Sequence, residues 1–327
     1  MPSIRHSVLW ISILFFGATL SIFAADSVGQ TRIAKWKDDR KAAFMLFFDD
    51  SMQSQIKNAV PELKARGFTA TFYVNPGKGD WKVMKDKWEK ELPADGFEYG
   101  NHTYTHKGVK DMADAEEEFG KCKDVILGIH PERKTPRLIS FGIPGVAKGA
   151  WNITDAQRDE LLVKHNMILR PNVHFGFIHL KTAEEMIKLV DGAIAKGGSD
   201  NVGFHGVGGE WLSTDMAIFN TFMAGLAERK DKLWISDHIS VHKYETEHQT
   251  AEVQIVEAAD KKIRLKLSCK ANPELYDGAL TLITKVPASW TKVQVVSGDA
   301  KSSATAANGE LRFDAVPNGK EITLQPE

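Results

Sequence analysis

The sequence predicts an α/β fold followed by a β-rich tail, on three observations. From about residue 31 to 248, apolar runs alternate with helix-period segments, the pattern of buried strands connected by helices. Short alternating runs separated by turn residues then fill about 251–327, as in a small antiparallel sandwich. All 11 histidines lie at or before His248, so no chemistry is expected from the tail.

Each element has its own signal. Residues 43–48 (AFMLFF) form a continuous apolar run, as a strand covered on both faces requires. A short helix at 61–66 has Pro61 in its first turn and Gly67 as its stop. Residues 68–75 (FTATFYVN) read as a second strand. Residues 112–127 place Ala115, Phe119, Cys122 and Ile126 on one helical face. Strands are expected at 137–141, 167–169, 201–204 and 232–235, with helices at 154–164, 183–196 and 215–228 between them. Repetition of this kind suits either a barrel or an open sheet. In the tail, six strands are expected at 252–256, 263–268, 279–284, 292–296, 311–315 and 321–324.

Composition narrows the function. The 327 residues are 43% apolar and 26% charged, which excludes a disordered or fibrous chain. A formal charge of −1 offers no global attraction for nucleic acid, so no nucleic-acid partner is expected. Cys122 and Cys269 are the two cysteines, too few for a disulfide framework or a Cys-rich metal site. Arg5 and His6 precede an apolar run at 8–23 that ends in Ala24-Ala25, the layout of a secretory signal peptide. That run is roughly 16 residues long, short of the ~20 a spanning helix needs. The expected organisation is a signal peptide at 1–25, an α/β domain at 26–248 and a β-rich domain at 249–327. The product would be secreted or periplasmic, with no stable membrane anchor after cleavage.

Three features could carry chemistry, all at predicted strand ends. Asp49-Asp50 follows the AFMLFF run, and adjacent carboxylates resist joint ionisation, so the pair suits either a solvated turn or a site. His102 and His106 are four apart, a spacing that can share a metal where the backbone turns tightly. Thr103 stands where the zincin pattern requires Glu, so this motif holds no base of its own. Two surface histidines remain the plain alternative. With Asp50 as a third ligand, two imidazoles and one carboxylate leave coordination positions open, the arrangement of a catalytic site. His205, in Phe204-His205-Gly206, is the third feature.

The stretches FFDDS, HTYTH, SFGIPG and FHGVG, in this order, resemble the polysaccharide deacetylase family. This is also called the NodB-homology or family-four carbohydrate esterase group, and the resemblance covers about 38–245. It implies a distorted (β/α) barrel of the NodB-homology type, with the active site at the C-terminal strand ends. It further implies Asp49 as the base, His205 as the acid, and a divalent metal, Zn²⁺ foremost, on Asp50, His102 and His106. The implied reaction removes acetyl groups from an N-acetylated, or O-acetylated, polysaccharide or oligosaccharide. The backbone N–H of Gly145 is implied as an oxyanion donor.

The chain departs from the family pattern in three places. Ser51 replaces a usual Gly, and residues 142–146 lack the Arg that braces the base. Arg170, after a later strand, is the substitute that some relatives carry. No aspartate is found to orient His205. Trp211, close behind His205, is the first choice for a sugar platform, ahead of Trp81, Trp88 and Trp151, while Trp234 and Trp290 read as packing residues. The alternatives are an O-acetyl xylan-type esterase and a catalytically silent carbohydrate-binding protein that keeps the pocket. A non-haem iron oxygenase also uses two histidines and a carboxylate, but it would leave Asp49 idle. The sequence carries no sign of the oligomeric state.

Overall fold

The computed structural model describes residues 27–327; the expected signal peptide at 1–25 lies outside them. The first half of the described chain runs β1 (Thr31–Ile33), β2 (Ala42–Asp49), α1 (Val60–Arg66), β3 (Thr71–Val74), α2 (Gly79–Val83), α3 (Leu92–Ala94), β4 (Glu98–Asn101), α4 (Met112–Ile129) and β5 (Ile139–Phe141). Next come α5 (Asp155–Lys164), β6 (Met167–Leu169), α6 (Ala183–Lys196), β7 (Ser199–Phe204), α7 (Met216–Glu228), β8 (Leu233–Ser236) and α8 (His238–Thr250). The tail is β9 (Glu252–Ala259), β10 (Lys262–Ser268), β11 (Leu280–Lys285), β12 (Lys292–Ser297), β13 (Ala300–Ala307), β14 (Glu310–Ala315) and β15 (Asn318–Pro326).

Seven parallel strands form a half-open, distorted barrel in the order β6-β5-β4-β3-β2-β7, with β8 also paired to β2. Every residue of β2 is buried, and its two faces enter different cores. Ala42, Phe44, Leu46 and Phe48 pack with Leu63, Phe119, Met186 and Phe222 of the surrounding helices. Ala43, Met45 and Phe47 pack with Val241 and Tyr244 of α8 and with Ile263, Leu265 and Leu282 of the tail. Burial on both faces explains why this strand is a continuous apolar run rather than an alternating one.

The tail folds into an eight-stranded antiparallel sheet, β1-β11-β14-β13-β12-β15-β10-β9. It is nearly closed, since Gly29, just before β1, lies against Ala258 of β9. β1 belongs here and not with the parallel strands, pairing Arg32 with Ile283. The sequence patterns also miss β4, α8 and β13, whose residues are too polar or too small to leave an apolar signal. Among the described residues no helix is long and apolar enough to cross a membrane.

Candidate active site

β2 ends on Asp49, and the chain then turns sharply through two left-handed residues, Asp50 (φ 79°) and Ser51 (φ 55°). Left-handed backbone is where glycine is favoured, which accounts for the family's glycine at position 51. Serine is held there because its Oγ accepts the Asn75 N–H at 3.0 Å. The turn separates the two carboxylates into different environments, which relieves the repulsion between neighbours.

Asp50 faces two histidines. The loop after β4 carries His102 and His106, with left-handed backbone at Thr103 (φ 64°) and His106 (φ 60°). The four-residue spacing thus works through a tight turn, not a helix. The turn is pinned from several sides. Asn75 Nδ2 donates to the His102 carbonyl at 2.5 Å and the Thr103 carbonyl at 3.1 Å. The Glu118 carboxylate accepts from both the N–H and the hydroxyl of Thr105, each at 2.7 Å.

The donor atoms of Asp50, His102 and His106 all lie within 4.8 Å of one another. Asp50 Oδ1 is 2.9 Å from His106 Nε2 and 3.6 Å from His102 Nε2. Ligands about 2.0–2.1 Å from a tetrahedral metal stand about 3.4 Å apart, so these separations suit a shared ion. Two further observations fit. Asp50 Oδ1 is buried and, apart from the facing His106 nitrogen, has no hydrogen-bond partner. His102 Nδ1 sits 2.7 Å from the Gly142 carbonyl, which leaves Nε2 free, as ligating histidines usually are oriented. Burial lowers the His102 pKa to about 4, so the ring is neutral at pH 7 and its lone pair available. Burial opposes ionisation of Asp50, but the His106 and His102 rings outweigh it and hold the carboxyl well below the usual range.

Asp49 stands outside this cluster. Arg170, just after β6, grips it with Nη1 to Oδ1 at 2.5 Å and Nη2 to Oδ2 at 2.7 Å. The guanidinium is stacked 4.2 Å from the Tyr73 ring centroid. Burial raises the Asp49 pKa, yet Arg170 and the neighbouring His102 outweigh it and keep the carboxyl ionised below its ordinary value. Asp49 Oδ2 is 3.5 Å from His102 Nε2, so it borders the Asp50–His102–His106 cluster without joining it.

His205 follows β7, its ring 4.6 Å from that of Phe175. Its Nδ1 is buried without a hydrogen-bond partner; no carboxylate among the described residues replaces the orienting aspartate. Gln55 fixes the backbone instead, donating to the Asp49 carbonyl at 2.5 Å and the His205 carbonyl at 2.9 Å. Lys78 Nζ lies 3.9 Å from Asp50 Oδ1.

The structure separates the remaining candidates. Gly145 is exposed, and that loop touches the site through the Gly142 carbonyl. Trp211 is 68% exposed, open to a ligand. Trp81 and Trp88 are not loop platforms. Both are buried, stacked 5.5 Å apart, because their polar-looking segments form short helices against β4. Trp151 is half-buried near Phe119. Sequence reasoning passed over Tyr73, Gln55, Lys78 and Glu118. Tyr73 was visible inside FTATFYVN, but only the fold shows that its ring meets Arg170.

Residues 37–152 match the polysaccharide deacetylase family model, a stretch that contains Asp49, Asp50, His102 and His106 and ends before Arg170 and His205. A gellan lyase from Bacillus sp. is 22% identical over 339 residues, which cover 91% of this chain. The chain spans 13% of that relative's length. Among solved structures, a family 4 carbohydrate esterase from Streptomyces lividans in complex with acetate is 16% identical, with a TM-score of 0.43 over 59% of this chain and 91% of that one. A family-four pseudoenzyme from Bacillus anthracis is 18% identical, with a TM-score of 0.43 over 59% of this chain and 63% of that one. The resemblance read from the sequence holds over residues 37–152, which match the polysaccharide deacetylase, or NodB-homology, family model.

Proposed function

We propose that the protein is an exported, metal-dependent hydrolase that removes acetyl groups from an acetylated polysaccharide or oligosaccharide, N-acetyl groups foremost. The observation that carries this reading is the division of labour between two adjacent carboxylates. Asp50 joins His102 and His106, while Asp49 is held apart by Arg170. The first three would hold the metal, and two imidazoles with one carboxylate suit Zn²⁺. When bound there, a divalent metal polarises a carbonyl and lowers the pKa of a water to about 7.

Asp49 is the base. Arg170 occupies one lone pair on each of its oxygens, which leaves another on each to take a proton from the attacking water. The same pairing fixes the carboxylate plane, so the proton acceptor does not rotate away. His205 is the acid that protonates the leaving nitrogen, a role suited to imidazole near neutral pH. Packing against Phe175 restrains its ring. Trp211 offers the exposed flat face that a pyranose ring stacks on. Export rests on the composition of residues 1–25.

A second reading is an O-acetyl ester, as in xylan. His205 lacks a partner at Nδ1, and an ester's alkoxide needs less help to leave than an amine. Metal analysis of the purified protein, followed by acetate release from chito-oligosaccharides, peptidoglycan and acetylated xylan, tests both. A single divalent metal per chain and chelator-sensitive acetate release are expected. A fully metallated protein that releases acetate from none of them would instead be a silent carbohydrate binder.

A further inference from the structure

A buried polar chain runs through the barrel behind Arg170. Tyr73 on β3, Ser140 on β5 and His238 at the start of α8 are all buried. Tyr73 Oη and Ser140 Oγ are 2.7 Å apart, and Ser140 Oγ is 2.7 Å from His238 Nδ1. The far end is anchored, because the His238 N–H donates to Thr71 Oγ1 at 3.0 Å. The near end is the Tyr73 ring that lies against Arg170.

The surrounding residues keep space for this arrangement. A Cβ at Gly100 would stand 2.5 Å from Tyr73 Cδ1, and one at Gly142 would stand 2.9 Å from both Arg170 Cζ and Tyr73 Cδ1. Phe47 closes the wall, its ring edge-on to Tyr73 at 5.4 Å and to His238 at 6.2 Å. Hydroxyls this deeply buried are costly unless paired.

We infer that Tyr73, Ser140 and His238 form a positioning chain that fixes the Arg170 guanidinium on Asp49. The inference rests on the base role proposed for Asp49. Arg170 also assigns the direction of the chain. Its permanent charge favours hydroxyl dipoles with oxygen toward it and hydrogen away. Tyr73 therefore donates to Ser140, Ser140 donates to His238 Nδ1, and the His238 ring proton sits on Nε2. Burial, with His242 and Arg170 nearby, lowers the His238 pKa to about 3, consistent with an accepting, neutral ring.

The test compares Tyr73→Phe, Ser140→Ala and His238→Leu with His238→Asn, whose amide oxygen can still accept from Ser140. Two readouts are used: the ¹⁵N guanidinium signals of Arg170 in the metal-free protein, which need no substrate, and steady-state kinetics on the best acetylated substrate. The first three variants should broaden or collapse the resolved Arg170 signals. They should lower kcat by about 10- to 100-fold, the scale of a small misplacement at a reacting group, with KM changed less than about twofold. Metal content should stay that of the wild type, and His238→Asn should keep both signals and rate. If His238→Leu folds with Arg170 signals and kcat like the wild type, the chain does not position Arg170. Equal damage from His238→Asn and His238→Leu would also overturn it, by showing a packing role alone. An inert wild type whose Arg170 signals still respond would overturn the base role of Asp49 and leave the chain standing.

Discussion

Arg170 and Asp49, 121 positions apart in sequence, meet through two parallel hydrogen bonds of 2.5 and 2.7 Å. Such a fork-to-fork pair fixes a carboxylate in angle as well as in place. Replacing Arg170 by Ala leaves Asp49 buried without its counter-charge, so its pKa rises. With the ionised form as the proposed base, the acid limb of kcat/KM should move to higher pH, with metal content unchanged. A pH–rate profile of the Arg170→Ala protein checks this, and an unmoved limb removes Arg170 from the mechanism. Arg170→Lys should restore charge but not the bidentate geometry, and so only part of the rate.

Asp49→Asn keeps the shape of the side chain and leaves Asp50, His102 and His106 untouched. Metal stoichiometry should therefore match the wild type while kcat falls by about 10²–10⁴-fold, the usual worth of a positioned base. His102→Ala should do the reverse, losing metal first. Metal analysis alongside single-turnover acetate release distinguishes the two patterns.

Glu118 touches no reacting group but holds the turn between the two histidines through Thr105. Its removal by Glu118→Ala should weaken metal binding by about 10- to 100-fold, as for other residues that orient ligands. Saturating metal should recover most of the rate. Competition with a chromogenic chelator measures the affinity. Glu118→Gln, which retains one acceptor, should fall between.

Glu247 predicts a stability change away from the site. It is buried in α8, with Oε1 accepting the Gly278 N–H at 3.0 Å and Oε2 unpartnered. Burial raises its pKa from the usual 4.5 to about 7. Below the lower value both folded and unfolded chains hold the proton. Between about 4.5 and about 7 the unfolded chain releases it first, so stability falls as pH rises through this window. Glu247→Gln, which cannot ionise, should raise Tm at pH 8 and leave it unchanged at pH 4. Thermal melts at the two pH values decide, and equal Tm gains at both would refute the assignment.

The Asp50–His102–His106 cluster was legible because its signals are local: a carboxylate pair closing an apolar run, and two histidines four apart. Arg170 was reached only through the family's alternatives, and the structure supplies the reason it meets Asp49. Leu169 pairs with Phe141 across β5 and β6, which puts the next residue above the strand ends facing Asp49. Tyr73, Ser140 and His238 gave no signal, since each looks like an ordinary strand or helix residue until the inner face of the barrel is known. β4 was hidden for a related reason. Its Glu98-Tyr99-Gly100-Asn101 sequence gives up side-chain volume at Gly100 to admit Tyr73, and with it the apolar run that marks a strand. The two buried tryptophans were misplaced because lysine-rich short helices read as loops.

The pairing of β1 with β11 also sets an order of events during synthesis. Thr31 bonds to Thr284 across 253 positions, so the first described strand has no edge to join until most of the chain exists. At a translation rate of about 5–20 residues per second, that wait is roughly 13–50 s. Meanwhile Ala43, Met45 and Phe47 lack the tail residues that cover them in the finished molecule. The half-barrel therefore emerges from the ribosome with one wall bare, and a holdase or prompt passage to another compartment would spare it from self-association.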